Sequence, residues 1–367
     1  MSARPEAAGE QPRPSWLEQR TRLGPVVAAG LHVHIPMSAR TYYFGGIALF
    51  LFGIQVVTGT LLALYYKPTP DAAYKSVQLI TSDVHFGWLI RSMHHWAANL
   101  MILFVALHLV RVFFQAAYKY PRELTWVVGC GLLLVTLGFG FTGYLLPWDQ
   151  RAYWATVVGT EIAGSVPVVG ETLLLMLRGG VDVTGETMGR FFGIHVLVLP
   201  LALGALLGAH LLLVHQLGLA SRKRAAARPA KASGGSSAAT PDEPPEPARP
   251  FFPHYLVDEL MAWYVLLAVL VVLVSVFPAG LEEQANPLET PAHIKPEWYY
   301  LGVYELLKLV PRVVGILAPI VGIGLLIIWP FLDRSPEIMA RRRLLVLGGA
   351  TLVIVALVVL TIMGWVS

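Results

Sequence analysis

Charged side chains are scarce in this chain of 367 residues, since Asp, Glu, Lys and Arg together make up only 14% of it. Soluble domains carry about 25% charged residues. Hydrophobic residues here reach 56%. This composition excludes an ordinary soluble domain and indicates an integral membrane protein. The net charge of +4 is small and gives no reason to expect nucleic acid as a partner.

Cysteine is nearly absent, because Cys130 is the only one in the chain. A single cysteine excludes an internal disulfide and a Cys-x-x-Cys-His motif for covalent haem attachment. A long apolar run behind a basic start is also missing from the first 40 residues, so we expect no cleaved signal peptide. The run from Trp16 to Arg22 mixes charge with hydrophobic residues and predicts an amphipathic segment lying on the membrane surface.

Seven apolar runs are long enough to cross about 30 Å of hydrocarbon, which takes roughly 20 helical residues. The predicted spans are Tyr42 to Tyr66, Trp88 to Phe114, Leu124 to Leu146, Phe191 to Gln216, Leu256 to Phe277, Val313 to Phe331 and Leu344 to Trp365. Residues 221–250 are rich in Ala, Pro, Ser and charge, which predicts a flexible linker. We therefore predict an all-α membrane protein with a four-helix module over residues 1–220 and a three-helix module over residues 251–367.

Lys and Arg fall twice as often on the side of the N-terminus as on the opposite side, with clusters at Arg222 to Arg224 and Arg341 to Arg343. Cytoplasmic connections of membrane proteins are enriched in these residues. The pattern predicts a multi-pass protein of the bacterial cell membrane with its N-terminus in the cytoplasm. We use "inner" for the side with more Lys and Arg and "outer" for the opposite side.

Four histidines form two matched pairs, His94 and His108 on the second span, and His195 and His210 on the fourth. Intervals of 14 and 15 residues are about four helical turns, so each pair returns to nearly the same helix face. Both spans run inward, which puts His94 level with His195 and His108 level with His210. Two facing histidines can fill both axial positions of a haem iron. The alternative is that they hydrogen-bond between helices or line a proton path.

Arginines and glycines accompany these histidines. Arg91 lies three residues before His94 and Arg111 three after His108, where they could bind haem propionates or simply extend to the membrane surface. Glycines also repeat at intervals of 14 residues, which would let a flat macrocycle approach the backbone at both levels; they are Gly45 and Gly59 on the first span, and Gly129 and Gly143 on the third. Glycine is common in membrane helices, so this spacing supports the haem interpretation only beside the histidines.

The chain resembles the cytochrome b family of bc and bf complexes from Trp16 to Trp365, apart from the linker. The strings that carry the resemblance are FGWLIRSMHHW, PRELTW, FTGYLLPWDQRAYWA and ANPLETPAHIKPEWYYL. The first module is similar to the four-helix cytochrome b of chloroplast-type bf complexes, and the second to their separate three-helix subunit IV. The resemblance implies two non-covalent b haems, an outer low-potential one on His94 and His195 and an inner high-potential one on His108 and His210.

The same resemblance implies a quinol-oxidation site on the outer side, at the motif that contains Glu297. Burial there could raise the pKa of Glu297 enough for it to accept a quinol proton, although Glu297 could instead cap the following helix. Tyr144 and Tyr304 match positions that line the same pocket, or they could be interfacial aromatics. The implied partners are a Rieske iron–sulfur protein, a c-type cytochrome, quinone, lipid and a second copy of the chain.

Two positions depart from the chloroplast type. Tyr43 stands where that type has the cysteine that holds a third, covalent haem, so we expect no covalent haem. His215 and Glu259 match a quinone-reduction site of the mitochondrial type, where they could pass protons to a reduced quinone, or they could simply be solvated on the inner surface. A diheme membrane anchor for another oxidoreductase, or a haem-free transporter with histidine proton relays, remain alternatives to a bc-type subunit.

Overall fold

The computed structural model describes residues 34–36, 43–218, 248–292 and 294–367. The predicted amphipathic segment at Trp16 to Arg22 and residues 221–247 of the predicted linker lie outside the described residues. The last three linker residues form a strand, β2 (Ala248–Pro250), which pairs antiparallel with β1 (His34–Pro36). This strand overlaps the last three residues of the predicted linker, whose bounds stay a prediction.

Seven helices of the described ranges are long and apolar enough to span a membrane, which confirms the predicted number. They are α1 (Tyr43–Ala63), α3 (Gly87–Phe114), α4 (Glu123–Tyr144), α7 (Gly185–Leu217), α8 (Phe251–Val276), α10 (Arg312–Leu332) and α11 (Leu344–Val366). Each buries fewer than a quarter of the residues in its most apolar stretch, and Leu, Val and Ile side chains face outward. That exposure suits helices whose outer faces contact lipid tails.

Within the described ranges, four shorter α-helices, which the apolar runs did not reveal, connect the spans. They are α2 (Ala73–Ser82), α5 (Gln150–Gly164), α6 (Gly170–Arg178) and α9 (Trp298–Leu309). They lie in the first, third and fifth connections between spans, which alternation of the spans puts on one side of the membrane. These helices mix polar and apolar residues, so a search for long apolar runs cannot find them.

The central core joins the two predicted modules. Leu51 of α1 and Ala97 of α3 are fully buried together with Leu270 of α8. A second junction lies at the inner end, where Trp126 of α4 donates its indole N–H to the carbonyl of Leu326 on α10 at 2.7 Å. Helices from both sides of the linker therefore form one helical assembly around α3 and α4.

Candidate functional site

His94 of α3 and His195 of α7 face one another within the membrane-spanning bundle. Their ring centroids are 6.4 Å apart, with an angle of 66° between the ring planes. Two imidazoles bound to opposite sides of one metal ion would have centroids about 6 Å apart, since each metal–nitrogen bond is about 2 Å long. The spacing of this pair fits a single iron held between the two rings.

A threonine hydroxyl fixes the ring orientation of His94. Thr58 donates its hydroxyl hydrogen to the carbonyl of Ile54 at 2.6 Å, and its oxygen lies 2.9 Å from Nδ1 of His94. Because that hydrogen is already used, the oxygen accepts the Nδ1 proton of His94. The lone pair of the ring is then on Nε2, which is the state a metal ligand requires.

The same device occurs on His195. Thr142 of α4 donates to the carbonyl of Gly138 at 2.8 Å, and its oxygen lies 3.1 Å from Nδ1 of His195. His195 therefore also carries its proton on Nδ1 and leaves Nε2 as the free donor atom. Both rings of the outer pair would therefore offer Nε2 to a metal, and each is held by a threonine that lies one residue before a glycine.

The predicted glycines contact the imidazole rings themselves. A Cβ added to Gly143 would meet Cε1 of His195 at 2.5 Å, and one at Gly59 would meet Cε1 of His94 at 3.1 Å. At the inner level, a Cβ added to Gly45 would lie 3.3 Å from Cε1 of His108, and one added to Gly129 would lie 3.4 Å from Cε1 of His210. The 14-residue repeat thus assigns one glycine to each histidine, where the sequence suggested only room for a macrocycle.

The inner pair, His108 and His210, lacks the threonine contacts of the outer pair. Within the described part of the chain, Nδ1 of each ring is buried and has no hydrogen-bond partner. Phe44 and Val128 occupy the positions before Gly45 and Gly129, where the outer level has threonine. Each inner histidine thus faces a glycine, as each outer one does, and the two levels differ in the groups that contact Nδ1.

A π-helical turn explains why the histidine intervals are 14 residues on α3 and 15 on α7. Residues Ile194–Val198 of α7 form this turn, and the N–H of Leu199 donates to the carbonyl of Ile194 five residues earlier. Pro200 follows at once and has no N–H to continue the regular ladder. The extra residue of the turn absorbs the difference, so His195 and His210 both face α3.

The two arginines differ in their surroundings. Arg91 donates from Nη1 to the carbonyl of Ala279 at 2.7 Å and from Nη2 to that of Gly280 at 2.6 Å. It therefore anchors the connection between α8 and α9 to the outer end of α3. Arg111 lies in the last turn of α3, beyond His108. Propionate binding by either arginine stays a prediction.

Glu297 lies at the outer end of the bundle, at the N-terminus of α9, and makes no side-chain capping hydrogen bond. Burial raises the pKa of Glu297, and the nearby charge of Arg151 acts in the opposite direction. Burial also raises the pKa of Tyr299, with further contributions from the charges of Glu297 and Tyr144. Glu297, Tyr144 and Tyr299 are thus brought close enough for their charges to interact.

The aromatic residues after Glu297 hold α9 against the four-helix module. Trp298 donates its indole N–H to Oδ1 of Asn99 on α3 at 2.8 Å, and the Tyr300 hydroxyl donates to the carbonyl of Leu137 on α4 at 2.6 Å. The ring of Tyr299 packs on Gly140, where an added Cβ would lie only 2.8 Å from the tyrosine hydroxyl oxygen. Glu297 is therefore fixed between α3 and α4.

Tyr304 belongs to α9 and is expected to line the same pocket as Glu297. Its hydroxyl donates to the carbonyl of Ile294 at 3.3 Å, within the connection that precedes α9. This bond closes the turn that carries Glu297. A direct role for Tyr304 in the pocket stays a prediction.

The inner-side residues lie on different helices. Glu259 of α8 packs its carboxylate against Gly46 of α1, and the Tyr43 hydroxyl donates to Asp258 at 3.3 Å. His215 lies in the last turn of α7. Among the described residues no hydrogen bond joins His215 to Glu259, so a shared proton-transfer site stays a prediction.

Sequence reasoning missed Thr58, Thr142 and Asn99 as site residues. A signal for the threonines was present, since a Thr-Gly dipeptide occurs at Thr58 and again at Thr142, each beside a histidine-facing glycine. Threonine is common in membrane helices, where it usually bonds back to its own helix. The Thr-Gly dipeptide indicates a threonine contact to histidine only when the glycine is known to face a histidine ring.

The fold and site define an all-helical, multi-pass membrane protein with two pairs of facing histidines at two depths. The family model described as cytochrome b/b6/petB matches residues 32–218. The model described as cytochrome b (C-terminal)/b6/petD matches residues 284–367. The chain belongs to the cytochrome b/b6 family of membrane electron-transport proteins, which confirms the resemblance carried by its sequence strings. Membership of this family implies b-type haems.

Individual relatives cover one or both modules. Cytochrome b6 of Heliobacterium mobile is 50% identical over 56% of this chain and 98% of its own length. The cytochrome bc complex cytochrome b subunit of Chlorobaculum thiosulfatiphilum is 40% identical over 87% of this chain and 73% of its own length. A solved chain described as hyperthermophilic respiratory complex III has a TM-score of 0.82 at 35% identity, covering 95% of this chain and 90% of that one.

Proposed function

We propose that this chain is the diheme cytochrome b subunit of a bc-type quinol:cytochrome c oxidoreductase. The observation that carries the proposal is the spacing of His94 and His195, whose ring centroids are 6.4 Å apart and whose Nδ1 atoms each contact a threonine hydroxyl. A relative named as a bc-complex subunit and a structure described as complex III support the same assignment. The two predicted modules and their linker are part of this proposal.

Two non-covalent b haems would be held by the four histidines through Nε2, the outer one by His94 and His195 and the inner one by His108 and His210. When bound, they supply one-electron carriers at two depths of the membrane. The facing glycines keep each imidazole close to the backbone of α1 or α4, which fixes the ring positions. No thiol stands at Tyr43, and we propose no covalent third haem.

Quinol would be oxidised on the outer side, beside Glu297. Oxidation of one quinol releases two protons and two electrons, one electron leaving to a Rieske iron–sulfur protein and the other crossing the membrane. The Glu297 carboxylate accepts a quinol proton, and burial, by raising its pKa, makes it a better base at neutral pH. Tyr144 and Tyr299 lie close enough to this carboxylate for their charges to interact with it.

The second electron would reduce a quinone on the inner side, where protons are taken up from the cytoplasm. His215 and Glu259 lie near the inner ends of α7 and α8 and can hold protons for that step. Release outside and uptake inside move charge across the membrane, which is proton translocation. A c-type cytochrome, as electron acceptor of the Rieske protein, and a second copy of the chain complete the proposed complex in a bacterial cell membrane.

A dithionite-reduced absorption spectrum of the purified protein, with a haem assay after acid–acetone extraction, tests the proposal. We expect b-type bands and two extractable haems for each chain. A spectrum without b-type bands would leave only a haem-free transporter with histidine relays. Bands without quinol oxidation by the intact complex would favour a diheme anchor that serves another oxidoreductase.

Replacing Glu297 with Gln tests the quinol site separately. We expect the rate of quinol to cytochrome c electron transfer in the intact complex to fall about a hundredfold, because a positioned base contributes roughly that much. The unmodified rate should decline as pH falls through the raised pKa of Glu297, and E297Q should lose this dependence. Glu283→Gln, an exposed carboxylate on the same connection, is the control and should keep the rate. An E297Q rate equal to that of E283Q would contradict the assignment.

A further inference from the structure

The threonine contacts to Nδ1 distinguish the two histidine levels. Thr58 and Thr142 lie 2.9 and 3.1 Å from Nδ1 of His94 and His195. At the inner level Phe44 stands 14 residues before Thr58, and Val128 stands 14 residues before Thr142. The chain therefore repeats its glycine and histidine pattern at both depths but supplies hydroxyl acceptors at one depth only.

Backbone carbonyls do not remove this difference. The carbonyl of Phe139 lies near His195, and that of Thr125, again 14 residues earlier, lies near His210. Nδ1 of His210 nevertheless has no partner at hydrogen-bond geometry within the described part of the chain. The hydroxyl of Thr142 is thus the contact that His195 has and His210 lacks.

We infer that Thr58 and Thr142 are positioning residues that lower the reduction potential of the outer haem relative to the inner one. The inference rests on the proposed function, because it requires haems on these histidines. It assigns the direction of electron flow across the membrane to two hydroxyl groups of this chain.

The sign follows from ligand basicity. A hydrogen bond from Nδ1–H to an acceptor increases electron density on the ring and makes Nε2 a stronger donor to the metal. A stronger donor stabilises ferric over ferrous iron and lowers the reduction potential. At the inner level neither Nδ1 has an acceptor at hydrogen-bond geometry among the described residues, so His108 and His210 are weaker donors. An electron then passes favourably from the outer haem to the inner one.

The other groups near the two levels are more evenly distributed. Arg91 lies one turn from His94, and Arg111 lies one turn from His108, so each level has one arginine at its own membrane surface. Each level also has two glycines against its two rings. At the Nδ1 atoms, the hydroxyls of Thr58 and Thr142 separate the two levels within the described part of the chain.

Potentiometric titration of the intact complex, followed by the absorbance of each b haem, tests the inference on T58V and T142V. Each variant should raise the ratio of reduced to oxidised outer haem at a fixed potential about threefold, or about 28 mV at 59 mV for a tenfold change. The inner haem should keep its potential. Thr58→Ser retains the hydroxyl and should restore the original value.

A converse variant keeps the test decisive if a valine weakens haem binding. Val128→Thr adds a hydroxyl beside His210 at almost unchanged side-chain volume and should lower the potential of the inner haem. Two b haems with potentials unchanged in T58V, T142V and V128T would overturn the inference and leave the proposed function standing. Absence of b haem from the unmodified protein would overturn the proposed function itself.

Discussion

In the proposed diheme subunit, we expect replacement of Gly143 with Ala to remove the outer haem and leave the inner one. The added Cβ would lie 2.5 Å from Cε1 of His195, and real Cβ atoms essentially never approach another atom within 3.0 Å. Either α4 or the imidazole must shift, and both atoms belong to packed helices. We expect the purified variant to contain one extractable b haem for each chain in place of two, with the loss confined to the spectrum of the outer haem.

Gly129→Ala is the matched control at the inner level of the same helix. Its Cβ would lie 3.4 Å from Cε1 of His210, at the edge of ordinary contact. We expect this variant to keep both haems. A Cβ at Gly59 or Gly45 would lie 3.1 or 3.3 Å from Cε1 of the facing histidine, so haem loss in these two alanine variants should be intermediate. Equal haem loss in all four alanine variants would show that the spacing between glycine and imidazole does not decide ligation.

Replacing Asp333 with Ala destabilises the inner end of the protein, where the two predicted modules meet. The Asp333 carboxylate accepts hydrogen bonds from Tyr118 at 2.5 Å and Lys119 at 3.0 Å, and Arg343 donates to the same Tyr118 hydroxyl at 2.7 Å. Removing one member of a buried ion pair costs about 3–5 kcal/mol of unfolding free energy. We expect the midpoint of thermal unfolding in detergent to fall by several degrees at neutral pH.

The pH dependence of this effect has a definite sign. Burial acts to raise the pKa of Asp333, but hydrogen bonds from Tyr118, Ser335 and Lys119 and the charge of Lys119 hold it below its usual range. The stabilisation is complete above the ordinary aspartate pKa of about 3.9 and is lost as pH falls through the lowered value. The unmodified protein and D333A should therefore converge only in strong acid.

Glu337→Gln is the control for Asp333, because it removes a carboxylate from the same connection. Glu337 pairs with Arg342, whose side chain is 57% exposed. Surface pairs of this kind contribute between 0 and about 1 kcal/mol. We expect E337Q to unfold at nearly the unmodified temperature. A drop as large as that of D333A would mean that the connection itself, and not the buried carboxylate, holds the modules together.

The sequence was sufficient to predict the seven spans and the pairing of the histidines. Long apolar runs identify membrane helices because few other segments need so many hydrophobic residues, and α10 begins and ends within one residue of its predicted bounds. Intervals of about four turns predict that His94 is level with His195, and the two rings face one another in the structure. Both predictions depend on local patterns of residues, which can be recognised in a single sequence.

Contacts between helices could not be predicted in the same way. That Trp298 bonds to Asn99, and Tyr300 to the carbonyl of Leu137, depends on how α9 lies across α3 and α4. The residues of the first pair are 199 apart in sequence and those of the second pair are 163 apart, and no periodicity relates them. The shorter outer helices were missed for a related reason, since their apolar faces are defined by what they pack against.

The π-helical turn of α7 separates two quantities that a regular helix ties together, the number of residues and the direction in which they face. In α3, one residue more or fewer between His94 and His108 would turn one ring away by about 100°. In α7, the π-helical turn at Ile194–Val198 contains one residue more than a regular α-helical turn would. Loss of one residue there would return α7 to a regular helix with both rings in register, so the interval between its histidines is free to vary by one while their alignment stays constant.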